Sequence, residues 1–184
     1  MTTEQPSILV TGGAGFIAGH VLAALLEQGH TVRTTARSLD REPHVREQLA
    51  RIGVDPGDRL ELVAADLLTD DGWRQAVGGV DVVFHVASPV MPGHVENEEE
   101  VIVPAREGTL RVLRAAEDAR VKRVVLTSAF HAVGLGRGRT DHTFTDDDWS
   151  PLEGPGMDAY GRSKVLAERA AWDSGPEQPS SSSP

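Results

Sequence analysis

The sequence contains no cysteine, and its 184 residues include only two lysines and a single tyrosine. The missing cysteine excludes disulfide bonds, a thiolate nucleophile and cysteine-ligated metals. No segment has a long apolar run and the N-terminus has no basic region, so we predict neither a signal peptide nor a membrane span. The formal net charge of −10 disfavours a general nucleic-acid binder. A cytoplasmic enzyme or small-molecule binding protein is therefore the expectation.

Short apolar runs alternate with longer stretches of helical periodicity. Five of these runs are predicted strands: Ser7–Thr11, His30–Thr35, Leu60–Asp66, Val80–Ala87 and Arg123–Ser128. The longest predicted helix covers Val103 to Ala119, with Pro104 in its first turn. This alternation is typical of right-handed βαβ units, and the continuous apolar strands indicate a parallel sheet covered by helices on both faces.

The domain organisation follows from where this pattern ends. We expect one doubly wound α/β domain over residues 1–173. The remaining segment, Ser174–Pro184, is rich in serine and proline and has no apolar residue, which predicts a disordered tail. A six-stranded doubly wound sheet needs at least one further strand. We therefore expect a C-terminally truncated chain that lacks the last strand or strands.

A glycine-rich stretch, "VTGGAGFIAGH", lies between the first predicted strand and the first predicted helix. Gly12 allows a tight turn, Gly15 allows close backbone approach to a pyrophosphate, and an alanine takes the third small position. The helix then begins at Phe16 and Ile17, whose N–H groups face the anion. The strand–turn–helix context supports a dinucleotide-binding loop.

The end of the second predicted strand, "RTTARSLD", bears on the choice of dinucleotide. A cofactor without a 2′-phosphate is usually held by an acidic residue there. This position has no acid, whereas Arg33 and Arg37 are close by. An arginine fork matches phosphate oxygens, so we predict Arg37 as the ligand of a 2′-phosphate. The pattern favours NADP(H) over NAD(H), with Asp40 near enough to keep NAD(H) as the second choice.

Taken together, the motifs resemble the extended short-chain dehydrogenase/reductase, or NAD-dependent epimerase/dehydratase, family, and most closely its dihydroflavonol-reductase-like aldehyde reductase branch. The resemblance covers Ile8 to Trp172 and rests on "TGGAGFIA", "TVRTTAR", "ADL", "FHVASP", "VKRVVLTS" and Tyr160-x-x-x-Lys164. It implies a Rossmann domain followed by a C-terminal substrate domain, which is missing here. It also implies further cofactor contacts: the adenine at Asp66 and Leu67, and the phosphates and ribose at Val86, Ala87 and Ser88.

The resemblance assigns Tyr160 as the catalytic proton donor and Lys164 as its partner, which also binds the nicotinamide ribose. The chemistry of the pair supports these roles. Residues four apart share a helix face. An ammonium beside a phenol favours the phenolate. A tyrosine in that setting can donate a proton to a carbonyl oxygen as hydride arrives.

The third catalytic position departs from the family pattern. Relatives commonly have two consecutive serines after the fifth strand, and the second one donates a hydrogen bond to the substrate. This chain reads "LTSAFHAVG", with Ala129 at that position. We name Ser128 as the provisional third catalytic residue. Thr127 or His131 could replace it, or Tyr160 could act alone.

An NADP-dependent reductase of an aldehyde or ketone is the leading functional hypothesis, with a small-molecule carbonyl as substrate. A nucleotide-sugar epimerase or dehydratase of the same fold and a non-catalytic dinucleotide sensor are the alternatives. We expect no nucleic-acid or membrane partner, and a homodimer stays open. The histidines lack metal-ligand spacing, so no metal is predicted at His85, His94, His131 or His142. The expected truncation predicts weak NADPH binding and little activity.

Overall fold

A computed structural model of the chain describes residues 6–89 and 95–175. It contains a five-stranded parallel sheet in the order β3-β2-β1-β4-β5. The strands are β1 (Ile8–Val10), β2 (Val32–Ala36), β3 (Leu60–Ala64), β4 (Val82–His85) and β5 (Arg123–Leu126). All five predicted strands are therefore present, each shorter than predicted or displaced by one or two residues.

Helices connect the strands and cover both faces of the sheet. They are α1 (Phe16–Glu27), α2 (Glu42–Ile52), α3 (Trp73–Val77), α4 (Glu99–Asp118) and α5 (Ala159–Ser174), and a 3₁₀ turn (Phe130–Ala132) follows β5. The doubly wound Rossmann-type fold predicted from the sequence is confirmed.

The strand β1 lies at the centre of two apolar clusters. Its residues Ile8 and Val10 pack into one cluster together with α1 and α2, and Leu9 packs into the other with α3 and α4. Because successive side chains of a strand point to opposite faces, a strand covered on both faces must be apolar throughout. This explains why "ILV" shows no polar alternation.

The strand order reverses at β1, which pairs with β2 on one side and with β4 on the other. In the register, Val10 lies opposite Thr34 of β2 and Phe84 of β4. A crevice forms at the carboxyl ends of the strands where the order reverses, and ligands of open α/β sheets bind there. The fold therefore places the glycine loop after β1 beside the segments that follow β2 and β4.

The prediction for the fourth helix was wrong at its beginning. The helix starts at Glu99, so Pro104 lies inside it rather than in its first turn. Acidic residues in a first turn are stabilised by the helix dipole, and Glu98 is held by an ion pair with Arg162 of α5. Val101 and Ile102 are buried, which extends the apolar face of the helix toward its start. The glutamates at the start of this helix have no apolar periodicity, so the sequence analysis placed the start of the helix too late.

The last helix continues one residue into the predicted tail, because α5 ends at Ser174 and Gly175 follows it. The rest of that tail lies outside the described residues, and so does His94. None of the helices within the described ranges has the length and apolar character needed to cross a lipid bilayer.

Candidate active site

A cavity of about 990 Å³ opens at the carboxyl ends of the strands, where the strand order reverses. We call it the crevice. Ten of the eleven predicted cofactor-binding residues line it: Gly12, Gly15, Phe16, Ile17, Arg37, Asp66, Leu67, Val86, Ala87 and Ser88. The eleventh is Lys164, which does not line the crevice but donates a hydrogen bond from Nζ to the hydroxyl of Ser88 over 2.8 Å.

The loop after β1 forms a turn that only glycine fits. Gly12 has a φ of +75°, and a Cβ there would lie 3.0 Å from the Cβ of Ala87. The N–H of Gly15 donates to the carbonyl of Gly12 over 2.8 Å, which closes the turn. Gly13 was not predicted to matter, yet a Cβ there would lie 2.3 Å from Oγ1 of Thr34. The "GG" doublet was the available signal for this close contact.

Helix α1 presents its N-terminus to the crevice. Gly15 is its N-cap and has no side chain to accept from the first N–H groups, and the first turn has no acidic residue. The apolar side chains of Phe16 and Ile17 are 78% and 56% exposed along the crevice. An N-terminus without a side-chain cap attracts an anion, and exposed apolar side chains gain from being covered.

Two arginines lie at the end of the crevice beyond β2. Arg37 and Arg41 both line it, together with Ser38. Among the described residues, neither guanidinium forms an ion pair. Asp40 is the acid for which NAD(H) was kept as the second choice of cofactor. It forms hydrogen bonds with Ser38 in the segment after β2, and it does not line the crevice. This end of the crevice therefore offers positive charge. The sequence analysis missed Arg41, although a second arginine four residues after Arg37 was a visible signal.

The arginine within β2 has a structural role. Arg33 forms an ion pair with Glu61 of β3 over 2.8 Å. It also donates to three carbonyl groups at the end of α3, those of Gln75, Ala76 and Gly78. These contacts direct its guanidinium toward the end of α3.

A buried hydroxyl joins the ends of β1 and β4. Thr11 Oγ1 accepts from the N–H groups of Val86 and Ala87, each over 3.0 Å, and lies 2.8 Å from Nδ1 of His85. Both acceptor sites of the hydroxyl are then used, so its hydrogen is donated to Nδ1. The ring proton of His85 must be on Nε2, which is buried and has no hydrogen-bond partner within the described residues.

The charge state of His85 agrees with this arrangement. Burial, with a smaller contribution from the positive charge of Lys164, lowers the pKa of His85 to about 4. The ring is therefore neutral at pH 7. The result is a rigid link between the glycine loop and the segment that carries Val86, Ala87 and Ser88.

The helix α5 presents Tyr160 and Lys164 on one face. Asp158 caps this helix by accepting from the N–H of Gly161 over 2.7 Å. Lys164 is only 8% exposed, and burial lowers its pKa. Its Nζ lies 5.5 Å from the centre of the Tyr160 ring. The ammonium thus lies between the phenol and Ser88, at the rim of the crevice.

The residues after β5 complete the surroundings of Tyr160. Ser128 Oγ donates a hydrogen bond to Oε2 of Glu168 on α5. The ring of His131 meets the ring of Tyr160 edge-on, with centroids 5.1 Å apart and an interplanar angle of 81°. The sequence analysis missed Glu168, although it stands four residues after Lys164 on the same helix face.

No group of three or more histidine, aspartate or glutamate side chains that could hold a metal ion occurs in residues 6–89 and 95–175. The polar groups around the crevice include backbone N–H groups, guanidinium groups, carboxylates, hydroxyls, an ammonium, a phenol and an imidazole. This set can bind phosphates and move a proton.

Comparison with known proteins identifies relatives along almost the whole chain. Cinnamoyl-CoA reductase 1 of Petunia hybrida is 39% identical over 176 residues, which cover 93% of this chain and 50% of that protein. An anthocyanidin reductase of Vitis vinifera is 36% identical over 183 residues, which cover 94% of this chain and 53% of that protein. The chain thus spans about half the length of the curated relatives it matches.

A solved structure supports the same relationship. Yeast methylglyoxal/isovaleraldehyde reductase Gre2, complexed with NADPH, matches with a TM-score of 0.76 and 27% identity over 91% of this chain and 52% of that one. The profile of the NAD dependent epimerase/dehydratase family matches residues 8–181. With the reversed strand order, the glycine loop and the pair on α5 all in place, this chain belongs to the NAD dependent epimerase/dehydratase family.

Proposed function

We propose that the protein is an NADP-dependent oxidoreductase that reduces an aldehyde or a ketone to an alcohol. The observation that carries this proposal is the continuity of the site. The crevice joins the N-terminus of α1, which has no side-chain cap, and two arginines to Ser88, and Ser88 is hydrogen-bonded to the lysine beside Tyr160. A dinucleotide lying along the crevice would reach from the arginines to the Tyr160 side.

The crevice fits NADP(H) by the chemistry of its lining. Gly12, Gly15 and the start of α1 would hold the pyrophosphate. Arg37 and Arg41 would bind the 2′-phosphate, for which a carboxylate would be unsuitable. Asp66 and Leu67 would contact the adenine. Related Gre2 reductases, whose structures were solved with NADPH, support the same choice.

The catalytic step assigns separate roles to the two residues of α5. When bound, NADPH supplies the hydride for the carbonyl carbon. As the C=O bond becomes a C–O single bond, the phenol of Tyr160 donates its proton to the oxygen and leaves a phenolate that solvent reprotonates. The ammonium of Lys164 stabilises that phenolate and, through its remaining N–H groups, would orient the nicotinamide ribose. Its link to Ser88 fixes its position at the crevice.

The alternatives fit less well. A nucleotide-sugar epimerase would usually have an acid at the end of β2, and here Arg37 follows that strand. A dehydratase would usually place carboxylates beside the catalytic hydroxyl. The segment "SAFHAVG" after β5 has none, and Glu168 accepts the hydroxyl of Ser128. A sensor without turnover would have no need for the Tyr160–Lys164 pair. The relatives reported above are named as reductases, which supports the leading proposal.

The decisive experiment is a turnover assay of the chain with NADPH and a panel of aldehydes and ketones, with product alcohols identified by mass spectrometry. Oxidation of NADPH matched by an equal amount of alcohol, even at a low rate, is the expected result. Tight NADPH binding without any alcohol across the panel would instead favour the sensor. Consumption of a nucleotide sugar without net NADPH oxidation would favour the epimerase.

A further inference from the structure

Ala129 provides no hydroxyl at the third catalytic position, and His131 follows two residues later in the chain. We propose that the imidazole of His131 donates the second hydrogen bond to the substrate carbonyl oxygen, beside Tyr160. This inference rests on the proposed carbonyl reduction and adds a catalytic residue to it. Three observations carry it: the engagement of Ser128, the placement of His131, and the freedom of its ring nitrogens.

Ser128 cannot readily serve as the donor in this arrangement. A hydroxyl has a single hydrogen, and that of Ser128 is donated to Oε2 of Glu168. The oxygen of Ser128 can still accept hydrogen bonds, but a carbonyl oxygen needs a donor. Ala129 offers only a methyl group. The two side chains at the family's serine positions therefore supply no N–H or O–H for the substrate.

The position of His131 is fixed by the turn that carries it. The N–H of Ala132 donates to the carbonyl of Ala129 over 2.9 Å, and the N–H of Ser150 donates to the carbonyl of Ala132 over 2.8 Å. Ala132 is completely buried, which anchors the turn between β5 and α5. These contacts fix the backbone that carries His131, and its ring rests against the ring of Tyr160 with the geometry given above.

The ring of His131 has hydrogen-bonding capacity to spare. Within residues 6–89 and 95–175, neither of its nitrogens has a hydrogen-bond partner. Two other histidines in those ranges are engaged: His85 with Thr11, and His142 with Asp148 over 2.9 Å. A neutral imidazole always has one N–H, and an imidazolium has two. His131 is half-buried, so a donated hydrogen bond would be partly shielded from water.

The test compares substitutions of His131 that remove the N–H donor while keeping the side-chain volume with substitutions that keep a donor. His131→Leu fills much of the same space without a donor, and His131→Gln keeps an N–H. With NADPH and isovaleraldehyde, His131→Leu should lower kcat about 10²–10³-fold, as loss of one such donor does. The KM and the NADPH affinity should change little. His131→Gln should recover at least tenfold of the loss, and so should Ala129→Ser added to His131→Leu.

Matched controls decide between this residue and its competitors. His44 is exposed on α2 away from the crevice lining, and His44→Leu should retain full activity. Ser128→Ala and Thr127→Val test the two competing donors, and each should lower kcat less than His131→Leu does. A His131→Leu variant with undiminished kcat would overturn the proposal. So would a large loss in Ser128→Ala that Glu168→Gln reproduces.

A second measurement works without turnover. Isovaleramide has a carbonyl oxygen but is not reduced, so it can be titrated into the NADP⁺ complex while the ¹⁵N resonances of the histidine rings are followed. We expect one His131 resonance to move and the His44 resonances to stay. If isovaleramide leaves His131 unmoved, the proposal is wrong.

The two proposals fail differently. No NADPH binding, or turnover that survives Tyr160→Phe, removes the proposed reductase. Turnover that Tyr160→Phe abolishes and His131→Leu preserves removes only the role of His131.

Discussion

The two sides of the site are made in different ways. On the side of α1, the site is formed largely by backbone: a glycine turn, a helix N-terminus and the segment after β4. We call this side the backbone half. On the side of α5, which we call the side-chain half, the site is formed by side chains that meet across long stretches of chain, such as Lys164 with Ser88 and Ser128 with Glu168. Binding by backbone groups depends on the conformation of the main chain. Binding by side chains depends on the identity of each residue that donates or accepts a hydrogen bond.

This difference determines how each side should respond to mutation. A backbone site should fail only where a new side chain collides with the turn. A side-chain site should fail wherever a donor or acceptor is removed, even though the volume is kept. The predictions below test this contrast, beginning with the largest expected effect.

Tyr160→Phe removes one oxygen from the side-chain half. We expect turnover to fall about 10²–10⁴-fold, because general acid catalysis contributes that much, which corresponds to about 3–5 kcal/mol. The affinity for NADPH should stay within a factor of three, since the backbone half is untouched. Single-turnover kinetics and a fluorescence titration measure the two quantities. Equal losses of turnover and of binding would contradict the separation of the two halves.

His85, which lies within the backbone half and is linked to the glycine loop through Thr11, should make stability depend on pH. Its folded-state pKa of about 4 lies below the 6.5 of an exposed histidine, so between these values the unfolded chain binds a proton that the folded chain does not. The free energy of unfolding should therefore fall as the pH drops from 6.5 toward 4, by up to about 3 kcal/mol.

The measurement is urea denaturation at several pH values, with His85→Gln as the comparison. That variant should lack the part of the pH dependence that lies between pH 6.5 and 5. Asp81, Glu98 and Asp148, whose pKa values are lowered by hydrogen bonds, lose their contributions below about pH 4. A variant that keeps the full dependence above pH 5 would show that His85 is not responsible.

Arg37 and Arg41 add side-chain specificity to the backbone half. NADPH should bind at least tenfold more tightly than NADH, because a charge-assisted contact contributes about 1.5–3 kcal/mol. Arg37→Ala should erase most of that preference, and Arg41→Ala should reduce it, while the affinity for NADH stays unchanged in both. Arg51→Ala on the exposed end of α2 serves as the control. Equal affinities for the two cofactors in the unmodified chain would refute the assignment.

Gly13→Ala tests the backbone half directly. The new Cβ would lie 2.3 Å from Oγ1 of Thr34, and that hydroxyl is buried and bonded to the carbonyl of Val10. Since Thr34 has little room to move, we expect a loss of about 1–3 kcal/mol in stability and weaker NADPH binding. Gly175→Ala serves as the control, because Gly175 has a negative φ that alanine can adopt. Gly79→Ala would not serve, because Gly79 has a φ of +72°, which strains any residue with a Cβ. An unchanged thermal midpoint for Gly13→Ala would show that the loop adjusts.

The backbone half was also the more predictable from sequence. Glycines at fixed intervals after an apolar run, and the lack of an acid after β2, are local signals, and the structure places those residues in one crevice. The partners of the side-chain half are 40 to 76 residues apart, as in Ser128 with Glu168 and Lys164 with Ser88. A pattern within one segment carries no information about such a partner. The start of α4 was missed for a related reason, since a run of glutamates has no apolar period.

The buried hydroxyl of Thr11 also has a consequence for the order of assembly. It joins groups that are 74 to 76 residues apart, whereas β1 and β2 are linked by one helix. Contacts so distant in sequence form late because a long loop must first be closed. We therefore expect β1, β2 and β3 to associate during synthesis before the crevice exists. The ability to hold a dinucleotide would then mark the arrival of β4, and a growing chain would become competent to bind only after that strand has docked.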